Sequence, residues 1–160
     1  MKACIIFYSY SGITRGVART IRDACGGDCI EVRPKEEYTA LTAYTLGCLR
    51  ARREEKDAID PAVIDVTGYD LIVIGTPVWA WKAAPPVNAA IAALKGCEGK
   101  PAVLFATCGS IARDTLPILK KALAERKVMT VAEVVLTQAD VGKPEAVNEL
   151  VAAVKTALTP

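Results

Sequence analysis

Histidine is absent from all 160 residues, and with it the commonest general acid–base and metal-ligating side chain. Six cysteines are present, but no two are spaced Cys-x-x-Cys. The ligand spacings of zinc and iron–sulfur sites are therefore missing, and the cysteines read as free thiols of a reducing compartment. No apolar run approaches the roughly twenty residues that a membrane span requires. The sequence holds no Gly-Lys-Ser/Thr, which excludes a nucleoside-triphosphate loop, and no three-glycine dinucleotide turn. Charged residues make up 24% and sum to +2 with the signs interspersed. No basic stripe with interleaved aromatics appears, so nucleic acid is not an expected partner. Met1-Lys2 leads straight into an apolar run, without the pattern of a signal peptide, and a cytoplasmic, membrane-free protein is expected. Hydrophobic residues amount to 52%, enough for one domain over 1–160 with a sizeable core.

The N-terminal stretch carries the most information. Ala3-Cys4-Ile5-Ile6-Phe7 is a continuous apolar run of strand length, the pattern of a parallel strand buried on both faces. Val17, Ala18, Ile21 and Cys25 then recur at helical spacing. Between strand and helix stands Ser9-Tyr10-Ser11-Gly12-Ile13-Thr14, with three aliphatic hydroxyls and a glycine in six residues. A helix N-terminus offers unpaired N–H groups and the positive end of a dipole. With Ser9, Ser11 and Thr14 as donors and Gly12 allowing close approach, this turn suits a phosphate.

Further along, Cys29-Ile30-Glu31-Val32-Arg33 reads as a second strand ended by Pro34. Leu41, Tyr44, Cys48, Leu49 and Arg52 are spaced as a helix within the long crossover over 34–68. Leu71-Ile72-Val73-Ile74 is the clearest central strand, and Pro85-Pro86 opens a helix carrying Val87, Ile91 and Leu94. Ala102-Val103-Leu104-Phe105-Ala106 forms a fourth strand. Ser110 is the expected cap of the next helix, in which Leu116, Leu119 and Leu123 form the apolar stripe and Pro117 disturbs the first turn. A fifth strand is expected over 131–136 and a closing helix over 144–158. Such alternation implies an open, doubly wound α/β parallel sheet with helices on both faces.

Ser-x-Ser-Gly-x-Thr directly after an N-terminal strand resembles the FMN phosphate loop of flavodoxins. Tyr69-Asp70-Leu71-Ile72-Val73-Ile74-Gly75-Thr76-Pro77-Val78-Trp79 resembles the third strand and isoalloxazine-contacting loop of the same family. The similarity covers nearly the whole chain in order. It implies a five-stranded sheet in the order 2-1-3-4-5, with the ligand site outside the carboxyl ends of strands one and three. No long insertion interrupts the fifth strand, as in the short-chain branch.

The resemblance implies FMN as cofactor. The first loop, Ser9, Tyr10, Ser11, Gly12, Ile13 and Thr14, would hold its phosphate. The second, Thr76, Pro77, Val78, Trp79, Ala80, Trp81 and Lys82, would face the ring, with the two tryptophans placed for stacking. The third, Thr107, Cys108 and Gly109, would approach the pyrimidine end. In three respects the chain departs from the family pattern. Cys108 and Ile111 stand where an aromatic residue usually covers the second flavin face, leaving that face open or covered by Tyr38, Tyr44 or a partner. The chain is not acidic. Arg15 directly follows a loop that usually works without a cation.

The function implied is non-covalent FMN binding and electron transfer with a redox protein, by a monomer or weak dimer. The alternatives are an NAD(P)H-dependent FMN or quinone reductase and a flavin-free interaction module. Residues 76–116 hold four basic side chains against two acidic ones, a balance that predicts a less negative low-potential couple than in acidic flavodoxins.

Overall fold

Strand β1 (Ala3–Phe7) is buried along its whole length, because it lies inside a sheet of five parallel strands, paired on both sides. It pairs with β2 (Asp28–Glu31) on one side and β3 (Leu71–Trp79) on the other, with Ile5 opposite both Cys29 and Val73. Strands β4 (Pro101–Cys108) and β5 (Met129–Thr137) extend the sheet beyond β3, giving the order 2-1-3-4-5. The structure, a computed structural model, describes residues 1–159.

Alternate residues of each strand point to opposite faces, and two hydrophobic layers follow from that. Ala3, Ile5 and Phe7 face helix α1 (Ile13–Cys25) and the C-terminal helix, while Cys4, Ile6 and Tyr8 belong to the opposite layer. The long crossover supplies α2, built from Ala40–Thr42, a π-helical turn Ala43–Gly47, and Cys48–Arg52. Helices α3 (Pro85–Ala92) and α4 (Thr115–Glu125) cover the second face. A short α5 (Gln138–Val141) precedes the closing α6 (Pro144–Ala157), which packs beside α1.

Two local expectations are corrected. Ser110 does not cap α4, since Asp114 holds the N-terminal position and the helix begins at Thr115. Pro117 explains the start: in the first helical turn its missing N–H would have no intrahelical partner anyway. Strand β2 ends at Glu31, and Arg33–Pro34 instead pairs antiparallel with Ile59–Asp60. That short ribbon ties the two ends of the crossover together.

Candidate functional site

The carboxyl ends of β1, β3 and β4 each lead into a loop, and the three loops meet around a cleft of about 440 Å³. From the first loop, Tyr10, Ser11, Ile13 and Thr14 line it; from the second, Pro77, Val78, Trp79 and Ala80; from the third, Thr107, Cys108 and Gly109. The crossover helix α2 closes a fourth side with Ala43, Tyr44 and Cys48, and Gln138 completes the wall. Sequence reasoning missed Ala43, Cys48 and Gln138. The signal for Gln138 was available: Thr137-Gln-Ala-Asp140 is a capping box, present in the structure, which fixes a helix start at the end of β5.

The remaining predicted residues, Ser9, Gly12, Thr76, Trp81 and Lys82, do not line the cleft. The Ser9 hydroxyl accepts from the N–H groups of Gly12 at 3.1 Å and Arg15 at 3.2 Å, folding the loop back on itself. Gly12 shapes this turn with φ of +94°, a left-handed conformation that glycine adopts without steric cost. Thr76 is fully buried; its hydroxyl donates to the Pro77 carbonyl and accepts from the Ala84 N–H. Lys82 pairs with Glu54 at 3.1 Å and Asp114 at 3.7 Å. Trp81 is half exposed, outside the cleft, with the Arg113 guanidinium 4.6 Å from its ring centre. The two tryptophans therefore have different roles.

Trp79 is a wall of the cleft and a keystone of the fold. Tyr8, Tyr10 and Tyr38 meet its ring edge-on, at centroid distances of 5.7, 5.9 and 5.0 Å. Gly47, in the π-helical turn, lies so close that a Cβ there would come within 2.6 Å of the indole. Ala80 and Trp81 form a two-residue turn, both at positive φ, that folds Lys82–Ala83 back antiparallel onto Val78–Trp79. The Tyr38 hydroxyl donates to Asp57 at 2.6 Å, and Asp57 in turn pairs with Arg50. Burial, helped by Asp57, pushes the Tyr38 phenol up to about 12. Tyr38 thus stands behind Trp79 and does not line the cleft, whereas Tyr44, strongly exposed, does.

Among the described residues, none that lines the cleft carries a charged side chain. Arg15 is turned away, donating from Nε and an Nη to the two carboxylate oxygens of Glu31 at 2.8 and 2.5 Å. An anion in the cleft would be held by neutral donors: the Ser11 hydroxyl and the N–H groups of Ile13 and Thr14, which have no carbonyl one turn back within the helix. The Thr14 hydroxyl is spoken for, sharing a buried 2.8 Å hydrogen bond with Thr107, 93 residues away. This bond joins the first loop to the third. Burial, with a smaller push from Asp140, raises the Cys108 thiol, and burial also raises Cys48. Both thiols stay protonated at neutral pH, which disfavours nucleophilic chemistry at either one.

The parts present suit a flavin mononucleotide. The volume falls within the roughly 300–1,000 Å³ of small-ligand sites. The N-terminus of α1 opens onto it, Trp79 and Pro77 supply an apolar wall, and Thr107, Cys108 and Gly109 of the third loop complete the lining.

Comparison with known proteins agrees with this geometry. The fold matches a flavoprotein from Bacteroides uniformis ATCC 8492 with a TM-score of 0.80 at 22% identity, over 94% of this chain and 97% of that one. It matches a flavoprotein from Lactobacillus acidophilus NCFM, solved in complex with FMN, with a TM-score of 0.68 at 22% identity, over 84% and 92%. A flavodoxin from Megasphaera elsdenii aligns with a TM-score of 0.60 at 18% identity, over 96% and 98%. No functionally curated protein matches the sequence. A flavodoxin family profile matches residues 2–141, and by that match, on a sheet of order 2-1-3-4-5, the chain belongs to the flavodoxin family.

Proposed function

We propose that the cleft binds FMN non-covalently and that the protein carries electrons to and from a redox protein partner. The observation that carries this reading is the uncharged cleft itself, lined both by the start of α1 and by Trp79. Bound there, FMN would supply the redox chemistry, and the residues would supply position and environment. Ser11 and the first-turn N–H groups of α1 would hold the phosphate, each charge-assisted hydrogen bond contributing roughly 1.5–3 kcal/mol. Pro77, Val78 and Trp79 would flank the ring, and Tyr44 on α2 stands at the side left without an aromatic residue in the third loop. The Lactobacillus flavoprotein with FMN bound supports the choice of cofactor.

Titration of the flavin-free protein with FMN and with riboflavin tests the reading. FMN should bind at least tenfold more tightly and lose its fluorescence on binding. Equal affinity for the two would remove the phosphate assignment, and no binding of either would leave an interaction module. Anaerobic NADH or NADPH should leave the bound flavin coloured; rapid bleaching would replace the carrier with a reductase.

A further inference from the structure

Helix α2 is built inside out. Its small residues, Ala43, Gly47 and Ala51, are the buried ones. Their size is needed where the helix approaches Trp79, since a Cβ on Gly47 would come within 2.6 Å of the indole. Its large apolar residues, Leu41, Tyr44, Leu46 and Leu49, are all exposed. Tyr44 at 81% and Leu41 at 74% are the two most exposed large hydrophobic side chains among the described residues. A helix that covers a sheet turns its apolar stripe inward and a polar face to water. Four large apolar side chains gathered on the outside of one helix instead mark a surface on which something docks. A ligand in the cleft would not cover them, because only Tyr44 of the four lines it.

Charge says what covers this face. The segment opens with Glu36 and Glu37 and closes with Arg52 and Arg53, all four exposed. Among the described residues Glu36, Glu37 and Arg52 have no ion-pair partner, and Arg53 has only a loose one, 3.8 Å from Glu55. The order acidic, apolar, basic complements itself when reversed. Turned end for end about Thr45, it sets Leu41 against Leu49, Tyr44 against Leu46 and Glu37 against Arg53 of a second copy. A twofold axis makes that reversal, and twofold pairs are the commonest homo-oligomers. The Thr45 hydroxyl, which would stand at the axis, is already used within the helix, donating to the Leu41 carbonyl at 2.8 Å. An anionic lipid surface would accept the leucines but repel the acidic end. We propose that α2 docks antiparallel on α2 of a second copy of this chain, forming a twofold dimer. At a rise of 1.5 Å per residue the helix is only about 20 Å long. The contact is therefore at the small end of protein interfaces, and a dissociation constant in the micromolar range is expected. The pairing is independent of the flavin reading and meets that site only at Tyr44.

Sedimentation velocity of the whole protein, with and without FMN, tests the pairing over a concentration series from micromolar to millimolar. The parent should pass from monomer to dimer. Leu41→Ser and Leu49→Ser should each raise the dissociation constant at least tenfold. Both side chains are exposed, so the variants should fold, and circular dichroism checks this. Val63→Ser, at a similarly exposed apolar residue outside α2, should leave the constant unchanged. Reversing one end, by Glu36→Lys with Glu37→Lys or by Arg52→Glu with Arg53→Glu, should weaken the dimer at low salt, and reversing both ends together should restore it. Three results would each overturn the proposal: a parent that stays monomeric throughout, a dissociation constant unchanged in both leucine variants, or no recovery in the four-residue reversal. Should the parent stay monomeric, co-sedimentation with phosphatidylcholine–phosphatidylglycerol vesicles that is lost in Leu41→Ser would assign the face to a lipid surface instead.

Discussion

Replacing Thr14 by valine removes one oxygen and keeps the side-chain shape. Thr14 is 1% exposed and Thr107 6%, and their hydroxyls meet at 2.8 Å. In Thr14→Val, the Thr107 hydroxyl is left buried without this partner, a state that costs about 1–3 kcal/mol. With m near 2 kcal/mol/M in urea, roughly typical of small proteins, the midpoint should fall by about 0.5–1.5 M. Thr107→Val should cost a similar amount. The double variant, with two matched apolar groups, should recover much of the loss, leaving a coupling of about 0.5–3 kcal/mol between the sites. Urea unfolding of the four flavin-free proteins reads this cycle. The same variants separate the bond's two possible consequences. If the pair only holds the loops together, FMN and riboflavin affinities fall in parallel; if the Thr14 hydroxyl also reaches the phosphate, FMN affinity falls about tenfold more. Single variants as stable as the parent, or losses that simply add, would refute the claim that this bond joins the loops.

Trp79→Ala should destabilise by about 3–5 kcal/mol, as large-to-small changes at packed aromatics do, while Trp81→Ala should stay within about 1 kcal/mol; flavin quenching should survive only in the latter, read by steady-state fluorescence. Tyr38→Phe leaves Asp57, whose side chain is 5% exposed, with Arg50 but without its phenol donor. A loss of about 2 kcal/mol, or roughly 4–8 °C in Tm, is expected by calorimetry. Glu31 is held below its ordinary value of 4.5, first by the Arg15 hydrogen bond. A depressed carboxyl stabilises the fold above its unfolded value and loses that contribution as pH falls through its folded one. Glu31→Gln should therefore be less stable than the parent at pH 7, with the difference shrinking below about pH 4.5; a gap constant from pH 7 to pH 3 would contradict this.

The central strands were legible because a strand buried on both faces must be continuously apolar, as Ile5-Ile6 and Ile72-Val73-Ile74 are. The loops were legible in position, since ligands gather where the strand order reverses. Which side chains face the ligand was harder to read. Thr76 and Ser9 have polar tips that look like donors in a string of letters, but both are used up by neighbouring backbone groups. Lys82 illustrates a further limit. Summing charges over 76–116 counted it as free, whereas Glu54, from the crossover, lies 3.1 Å away. A net charge along a segment does not describe a surface assembled from several segments. The contribution of α2 was hidden for a similar reason: its π-helical turn breaks the 3.6-residue period by which Ala43 and Cys48 would have been assigned a common face.

The turn after Trp79 has a consequence for how this protein can be improved or can drift. Two-residue hairpin turns favour Asn-Gly, because both positions need positive φ. Here they are Ala80 at 49° and Trp81 at 64°, and Arg113, whose guanidinium lies over that indole, sits at 42°. Non-glycine residues in this region cost on the order of 1–3 kcal/mol each. A selection for thermal stability alone would be drawn to these positions first and would replace the indole with something smaller. Whatever Trp81 and Arg113 present to the outside would disappear without the fold registering any harm. Stability data gathered on variants of this chain should therefore be read beside a measurement of activity, since stability alone would not register the change.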